Sequence, residues 1–409
     1  MKPQTIRLID LWLGRTICAA LTTVRMVSRI FFRERGVESS IHKILFIKMI
    51  EQGATVLAFG AIRRAIELVG RENVYFWVFE ENSEILAVMD VIPPENVLTI
   101  RSKHPVSFLI DVWRTSRRIR RIGIDCTIDM EFFARAPAIL AYLTGARRRI
   151  GLHRFTSEGP YRGDLMTHRV EYNPHVHTAA AYLTLVESSQ TSPNEAPLLK
   201  RRPPEYDLSP PSFNPSQDDL KQVREKLNGI AGREVERPIV ILNPNASDLL
   251  PLRRWPIERF VELGKRILAD DPNVTLVITG SPSEKSAAAE LAAEIGLDRT
   301  VNMAGETTLR ELLTLYTMAD VLVTNDSGPS HFASMTDIES VCLFGPETPA
   351  LYGPLGKHSH IMWAGLYCSP CVNAFNHRFS PCKDNVCMQA ISVEMVYDKV
   401  RELPRDRRR

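Results

Sequence analysis

Thr324-Asn-Asp-Ser-Gly-Pro-Ser-His331 sets hydroxyls, an amide, a carboxylate and an imidazole between the apolar runs Val321-Leu-Val323 and Phe332-Ala333. A strand breaking into a helix start in this way gathers free backbone N–H groups and the positive end of a helix dipole, which suits a phosphate. An ordinary βα turn capped by Ser or Asp accounts for the same residues. Two more loops carry related chemistry: Asn243-Pro-Asn-Ala-Ser247 with Arg253 and Arg254, and Gly280-Ser-Pro-Ser-Glu284. With Asp326, Ser327, Gly328 and His331, they offer what a nucleotide diphosphate and its ribose require. Arginine and helix-terminal N–H groups bind phosphate, and a carboxylate such as Glu284 can hold ribose hydroxyls. The chain has no Walker A loop, no GxGxxG and no DxD pair. That disfavours a kinase-type ATPase or an NAD enzyme and leaves phosphate neutralisation to arginines and amides.

A second constellation is Cys368-Ser-Pro-Cys371, Cys382 and Cys387. Its C-x2-C-x10-C-x4-C spacing is near a structural zinc pattern without matching a standard one, so a metal site, disulfides and buried thiols all remain open. Cys18, Cys126 and Cys342 sit among apolar neighbours and read as buried thiols. The pair His175 and His177 reads as a structural loop feature.

These residues need elements to position them. In 409 residues, 44% apolar and 24% charged, two or three soluble domains are expected. A net charge of +3 without any nucleic-acid motif argues against nucleic acid as a partner. From Lys43 to about residue 190, short apolar strands such as Ile44–Ile47 alternate with amphipathic helices, the pattern of a doubly wound sheet. Helices are expected at 55–69, 108–122 and 132–142. Seven prolines between residues 189 and 216 mark a connection. The alternation resumes at Pro238-Ile-Val-Ile-Leu242 and continues to Val341-Cys-Leu-Phe344. The expected division is an N-terminal helix (1–40), a first Rossmann-like domain (41–190), a linker with one helix (191–235), a second Rossmann-like domain (236–390) and a C-terminal helix with a basic tail (391–409). Ligands of open α/β sheets bind at the carboxyl ends of strands, so a cleft between the two domains is the expected site.

Before Lys43 the pattern differs. At helical spacing Arg7, Arg15, Arg25, Arg29 and Arg33 share an arc of about 80°, opposite Trp12, Leu13, Ile17, Val24, Val27 and Phe31. Such a helix suits a membrane interface, and a helix packed on the protein itself or on a second subunit shares the pattern. No uncharged run is long enough to span a bilayer. With no secretory signal seen, the expected location is the cytoplasm, at the inner face of the cytoplasmic membrane.

Asn325-Asp-Ser-Gly-Pro-Ser-His331, Leu343-Phe-Gly-Pro346 with Thr348-Pro349, the Asn-Pro-Asn-Ala-Ser loop with Arg-Arg-Trp-Pro256, Gly280–Glu284, Leu309-Arg-Glu-Leu312 and Lys43–Lys48 with Gly53 occur in this order. The set resembles bacterial glycosyltransferase family 9, the lipopolysaccharide heptosyltransferases. The resemblance implies a GT-B architecture and inverting, metal-independent transfer from a nucleotide sugar, often ADP-heptose, to a lipid-linked acceptor. It implies that Arg253 replaces a phosphate-binding lysine, that Glu284 holds the ribose, and that Asp326, Ser327, Gly328 and His331 face the diphosphate and donor sugar. Thr307 and Thr308 lie where the family passes backbone groups to the adenine.

One position departs: the family's Gly-Asp after the first strand is Gly53-Ala54 here, and alanine cannot take a proton. Glu51, in the same loop, is the candidate base, with Asp129 and Glu131 in reserve. Lys48, Gln52, Gly53 and His377 complete the acceptor side. Many relatives carry a comparable Cys-x-Pro-Cys run, which makes structural zinc the metal reading for the four cysteines, with none needed for catalysis. Ala54 also motivates a rival, a non-catalytic protein that binds sugar nucleotides or glycans. A metal-sensing or Fe–S protein accounts for only a small part of the chain.

Overall fold

The computed structural model describes residues 3–31, 40–102, 104–153, 161–202, 204–248, 250–376 and 378–404, without the side chains of residues 3–7, 29, 31 and 297. Contacts divide the chain into two units. Unit 1 runs to Leu208 and takes back residues 374–376; unit 2 holds Ser209–Asn373 and the chain from Arg378 onward.

Unit 1 is built on strands β1 (Ile44–Ile47), β2 (Val74–Phe79), β3 (Val97–Ile100), β4 (Cys126–Asp129), β5 (Arg148–Leu152) and β6 (His168–Val170), with helices α1 (Pro3–Phe31), α2 (Gln52–Leu57), α3 (Phe59–Val69), α4 (Glu84–Met89), α5 (Pro105–Ile122), α6 (Arg135–Leu143) and α7 (Thr178–Ser188). All neighbouring strands pair in parallel, in the order β3-β2-β1-β4-β5-β6. β1 is apolar throughout because helices cover both of its faces, and all four of its residues are buried. The order reverses between β1 and β4, so the loops leaving those two strands open side by side.

Unit 2 repeats the plan. Its elements are α8 (Gln217–Ala231), β7 (Ile239–Asn243), α9 (Ile257–Asp270), β8 (Thr275–Ile278), α10 (Lys285–Ile295), β9 (Thr300–Asn302), α11 (Leu309–Met318), β10 (Val321–Asn325), α12 (Gly328–Ala333), β11 (Glu339–Phe344), α13 (Pro349–Tyr352), β12 (Ser359–Trp363), α14 (Val386–Gln389) and α15 (Val393–Glu402). The parallel order β12-β11-β10-β7-β8-β9 puts the reversal between β7 and β10. The α/β reading with two doubly wound sheets therefore holds.

Several local expectations change. α5 begins at Pro105 rather than 108, because proline at the first helical position sacrifices no hydrogen bond. α6 begins at Arg135 rather than 132, since residues 131–133 turn after β4 and Phe133 takes a positive φ. Among the described residues of 189–216 there is no helix or strand. α8, placed in the 191–235 connection, belongs to unit 2: Lys226 Nζ donates to Glu306 O at 2.9 Å, and Arg310 pairs with Asp219 at 2.7 Å. α15 is likewise part of the unit 2 core through Val393, Val396 and Val400.

The N-terminal helix needs the largest correction. Gly14, Cys18 and Arg25 share its buried side, and a Cβ on Gly14 would stand 2.9 Å from Arg135 Cβ. Arg25 is not part of a solvated basic face. Its Nη1 donates to Asp164 O at 2.6 Å and Met166 O at 2.9 Å and pairs with the Asp164 carboxylate. Arg7, Arg29, Arg33 and Phe31 lie outside the described side chains. Trp12, Leu13, Val24 and Val27 are exposed, and Leu8, Ile9, Met26 and Ile30 join them.

Candidate functional site

The reversal in unit 1 gathers the ends of β1 and β4. Lys48, just beyond β1, is fully buried; its Nζ lies 3.0 Å from Glu131 Oε2 and 3.4 Å from Glu51 Oε2. Burial alone would push that ammonium down, but the Glu131 carboxylate beside it holds it above the usual lysine range. Glu131 also accepts the backbone N–H groups of Met49, at 2.8 Å, and Ile50, at 3.2 Å. Asp129 accepts the Glu131 N–H and pairs with Arg162. Burial pushes its carboxyl up to about 6 against the pull of that guanidinium. The two reserve carboxylates are thus enclosed and committed to holding the β1 and β4 ends together.

Glu51 differs. Its side chain is 25% exposed, and its backbone sits at φ 70°, ψ 81°, immediately before α2. A non-glycine residue there carries strain of order 1–3 kcal/mol, a cost that collects at functional positions. Of the three carboxylates at this reversal, Glu51 is the one that reaches solvent. Gln52 donates to Glu81 O at 3.1 Å, and Gly53 is buried in the first turn of α2. His177 caps α7 by accepting the Ala179 N–H, as a structural histidine would. His377 lies outside the described residues.

In unit 2 the reversal brings together the loops after β7 and β10. Asn325 joins them: its Oδ1 accepts the Trp255 N–H at 3.0 Å and its Nδ2 donates to Pro244 O at 2.8 Å. The arginine loop is thereby fixed against the Asp326–Gly328 turn. Arg253 Nη1 stands 3.5 Å from Glu347 Oε2 and 3.8 Å from Asp326 Oδ2, beyond good hydrogen-bond range. Its Nε is buried with no hydrogen-bond partner among the described residues. Arg378 Nε is 3.4 Å from the other Glu347 oxygen. Burial pushes the Asp326 carboxyl up to about 8; Arg253 opposes the rise and neighbouring Glu347 adds to it. Burial and the neighbouring acid thus favour the protonated form of Asp326, with the guanidinium groups of Arg253 and Arg378 close by.

Glu347 escaped the sequence reading. The only sign was an acidic residue in Gly345-Pro-Glu-Thr-Pro349, directly after a fully buried strand.

The remaining candidates divide by what their side chains already hold. Asn243 is buried and donates to Thr279, tying β7 to β8. Arg254 is bound to Ala246 O and Asp248. Glu284 closes a capping box with Ser281, and Thr308 caps α11 with Glu311. Ser327 donates to Asn325 O. Asn245 and Gly280 are half-buried, as are Thr307 and Gly328; Ser247 is exposed and His331 buried. α12 has only six residues, so little dipole builds up, and attraction for an anion rests on Arg253 and Arg378.

The four clustered cysteines are free thiols: Cys368 and Cys382 exposed, Cys371 half-buried, Cys387 buried. Ser380 Oγ donates to Cys371 Sγ, and Cys382 Sγ to Asp384 O. Among the described residues no three His, Cys, Asp or Glu side chains are grouped to hold a metal ion. Exposed Cys382 is turned toward the Asp384 carbonyl rather than toward the other three thiols.

The model of glycosyltransferase family 9 (heptosyltransferase) matches residues 112–378, from α5 in unit 1 to Arg378 in unit 2. The chain belongs to glycosyltransferase family 9. Lipopolysaccharide heptosyltransferase 2 of Salmonella typhimurium is 32% identical over 130 residues, 31% of this chain and 36% of that protein. Lipooligosaccharide heptosyltransferase 2 of Haemophilus influenzae is 30% identical over 34% of this chain and 39% of its own length. The match thus spans little more than a third of the length of each of these two relatives. Among solved structures, E. coli ADP-heptose LPS heptosyltransferase II superimposes with a TM-score of 0.65 at 18% identity, covering 88% of this chain and 97% of that one. E. coli heptosyltransferase WaaC with ADP gives 0.60 at 16%, covering 88% and 99%. These likenesses establish the family 9 fold, the GT-B architecture.

Proposed function

We propose that the protein transfers a heptose-like sugar, with inversion and without a metal ion, from a nucleotide-diphosphate donor to a lipid-linked saccharide. ADP-heptose is the proposed donor and the lipopolysaccharide core the proposed acceptor. The observation that carries this reading is Arg253: a guanidinium at the unit 2 reversal, flanked by two acids at ion-pair rather than good hydrogen-bond distance, with a buried N–H unclaimed among the described residues. A buried donor without an acceptor is costly, and a diphosphate oxygen would relieve that cost. Unit 2 then takes the donor, with Asp326, Ser327, Gly328 and His331 around the diphosphate. Glu51 in unit 1 takes the proton from the acceptor hydroxyl. That oxygen bonds to the anomeric carbon as the bond to the diphosphate breaks, and Arg253, with Arg378 beside it, stabilises the departing charge.

The exposed Trp12, Leu13, Val24 and Val27 support α1 resting on the membrane that carries the acceptor. No helix among the described residues is long and apolar enough to cross a membrane.

Purified protein, ADP-heptose and a truncated lipid acceptor test the proposal through ADP release. Turnover is expected to persist in a chelator. Glu51→Gln should lower kcat by about 10²- to 10⁴-fold with the donor Kd unchanged. Because Ala54 removes the usual aspartate, the rival is binding alone. Donor binding without turnover, indifferent to Glu51→Gln, would establish that rival.

A further inference from the structure

α5 carries an uncovered face of its own. Val106, Leu109, Ile110 and Trp113 are 70%, 65%, 42% and 56% exposed. At helical spacing they fall in an arc of about 100°. The same stripe continues into the last two turns as Arg117, Arg120 and Arg121. Its first half is therefore apolar and aromatic, and its second half basic. Arg120 is tied to Leu143 O, but Arg117 and Arg121 form no ion pair among the described residues. The Arg117 guanidinium lies over the Trp113 ring at 4.2 Å, joining the two halves.

We propose that this face of α5 docks on an anionic lipid bilayer, as a second contact beside α1. Phe108, Val112 and Ile119 of α5, α6 residues, and Cys18 and Leu21 of α1 all belong to one apolar cluster, so α1 and α5 lie on the same side of the sheet. A tryptophan among aliphatic side chains fits the interfacial zone, and unpaired arginines on the same stripe fit lipid phosphates at headgroup depth. Charge complementarity thus selects an anionic surface. The geometry also sets an orientation. α5 follows β3, so its apolar first turns lie at the carboxyl edge of the sheet, the edge that carries Lys48 and Glu51. A bilayer contact there brings that edge to the lipid surface.

The inference rests on the membrane reading of α1, and the test separates the two. The full chain is sedimented with vesicles of phosphatidylcholine containing about a third phosphatidylglycerol, and with phosphatidylcholine alone. L109Q/W113Q and R117E/R121E in α5, and W12Q/L13Q in α1, are compared with the parent protein. The α5 variants are expected to lose about tenfold or more in partitioning to the anionic vesicles, while ADP release with a detergent-dispersed acceptor stays unchanged. Brominated lipids should quench less of the total emission in W113F than in the parent. R117E/R121E changes only exposed side chains, so it remains informative should L109Q/W113Q fold poorly. Parent-like partitioning of both α5 variants overturns the proposal, even where W12Q/L13Q no longer sediments. Loss in neither set overturns the α1 reading as well. A dimer in light scattering that dissociates in the α5 variants assigns the face to a second copy and also overturns it.

Discussion

Asp326 stands beside Glu347, Arg253 and Arg378, and burial raises its carboxyl to about 8. As pH rises through that range, negative charge is added beside the proposed diphosphate position. ADP affinity is therefore expected to fall about five- to tenfold between pH 7 and 9, measured by calorimetry, and Asp326→Asn should flatten the profile. In unit 1, Lys48→Met strands the enclosed Glu131 carboxylate. A loss of about 3–5 kcal/mol in denaturant unfolding is expected, partly recovered when Glu131 is also replaced by Gln. Arg253 and Glu51 were legible in the sequence because a guanidinium near a Trp-Pro and a carboxylate in a glycine-bearing loop are local patterns. Glu347 was not, nor was the bridging role of Asn325. The Glu347–Arg253 and Asn325–Pro244 contacts join residues far apart in the chain, which no local window contains.

At the scale of elements, strands with continuous apolar runs were readable, and even the short β9 was, but β6 and β12 were not. β1 and β10 announce themselves. β6 has three residues, and β12, Ser-His-Ile-Met-Trp, is half-covered at the edge of its sheet, so neither gives a period. α1 was legible as an amphipathic helix but not in which side it buries. The stripe left open whether its apolar side meets a membrane or the protein, and it is Gly14 and Arg25 that pack: a glycine allows close approach to α6, and an arginine with three acceptors can be enclosed. Gly14→Val should force α1 off Arg135 and cost roughly 1–3 kcal/mol. Hydrogen exchange should show faster opening across α1, with the β1 and β4 amides still protected.

Across the whole molecule, the two-sheet plan was evident from the alternation of elements, and the dividing line only to within the proline-rich stretch 189–216. Prolines mark where regular structure stops, but Leu208 and Ser209 separate the units only because of what packs on either side. The thiols give a molecule-wide check on the cysteine segment. In native protein, a disulfide-exchange reagent should reach Cys368 and Cys382 first and Cys371 more slowly. Cys18, Cys126 and Cys342 should react only on unfolding. Protection of all four clustered cysteines, released by a chelator, would instead restore the metal reading.

Residues 374–376 return to unit 1, where Phe375 stacks on Phe133 at 5.6 Å and meets Tyr172 edge-on at 5.3 Å. During synthesis, unit 1 leaves the ribosome first, yet one of its aromatic rings arrives only with residue 375 of 409. The nascent first half must therefore wait, with Phe133 and Tyr172 short of a neighbour, until synthesis has passed through the second sheet and reached residue 375.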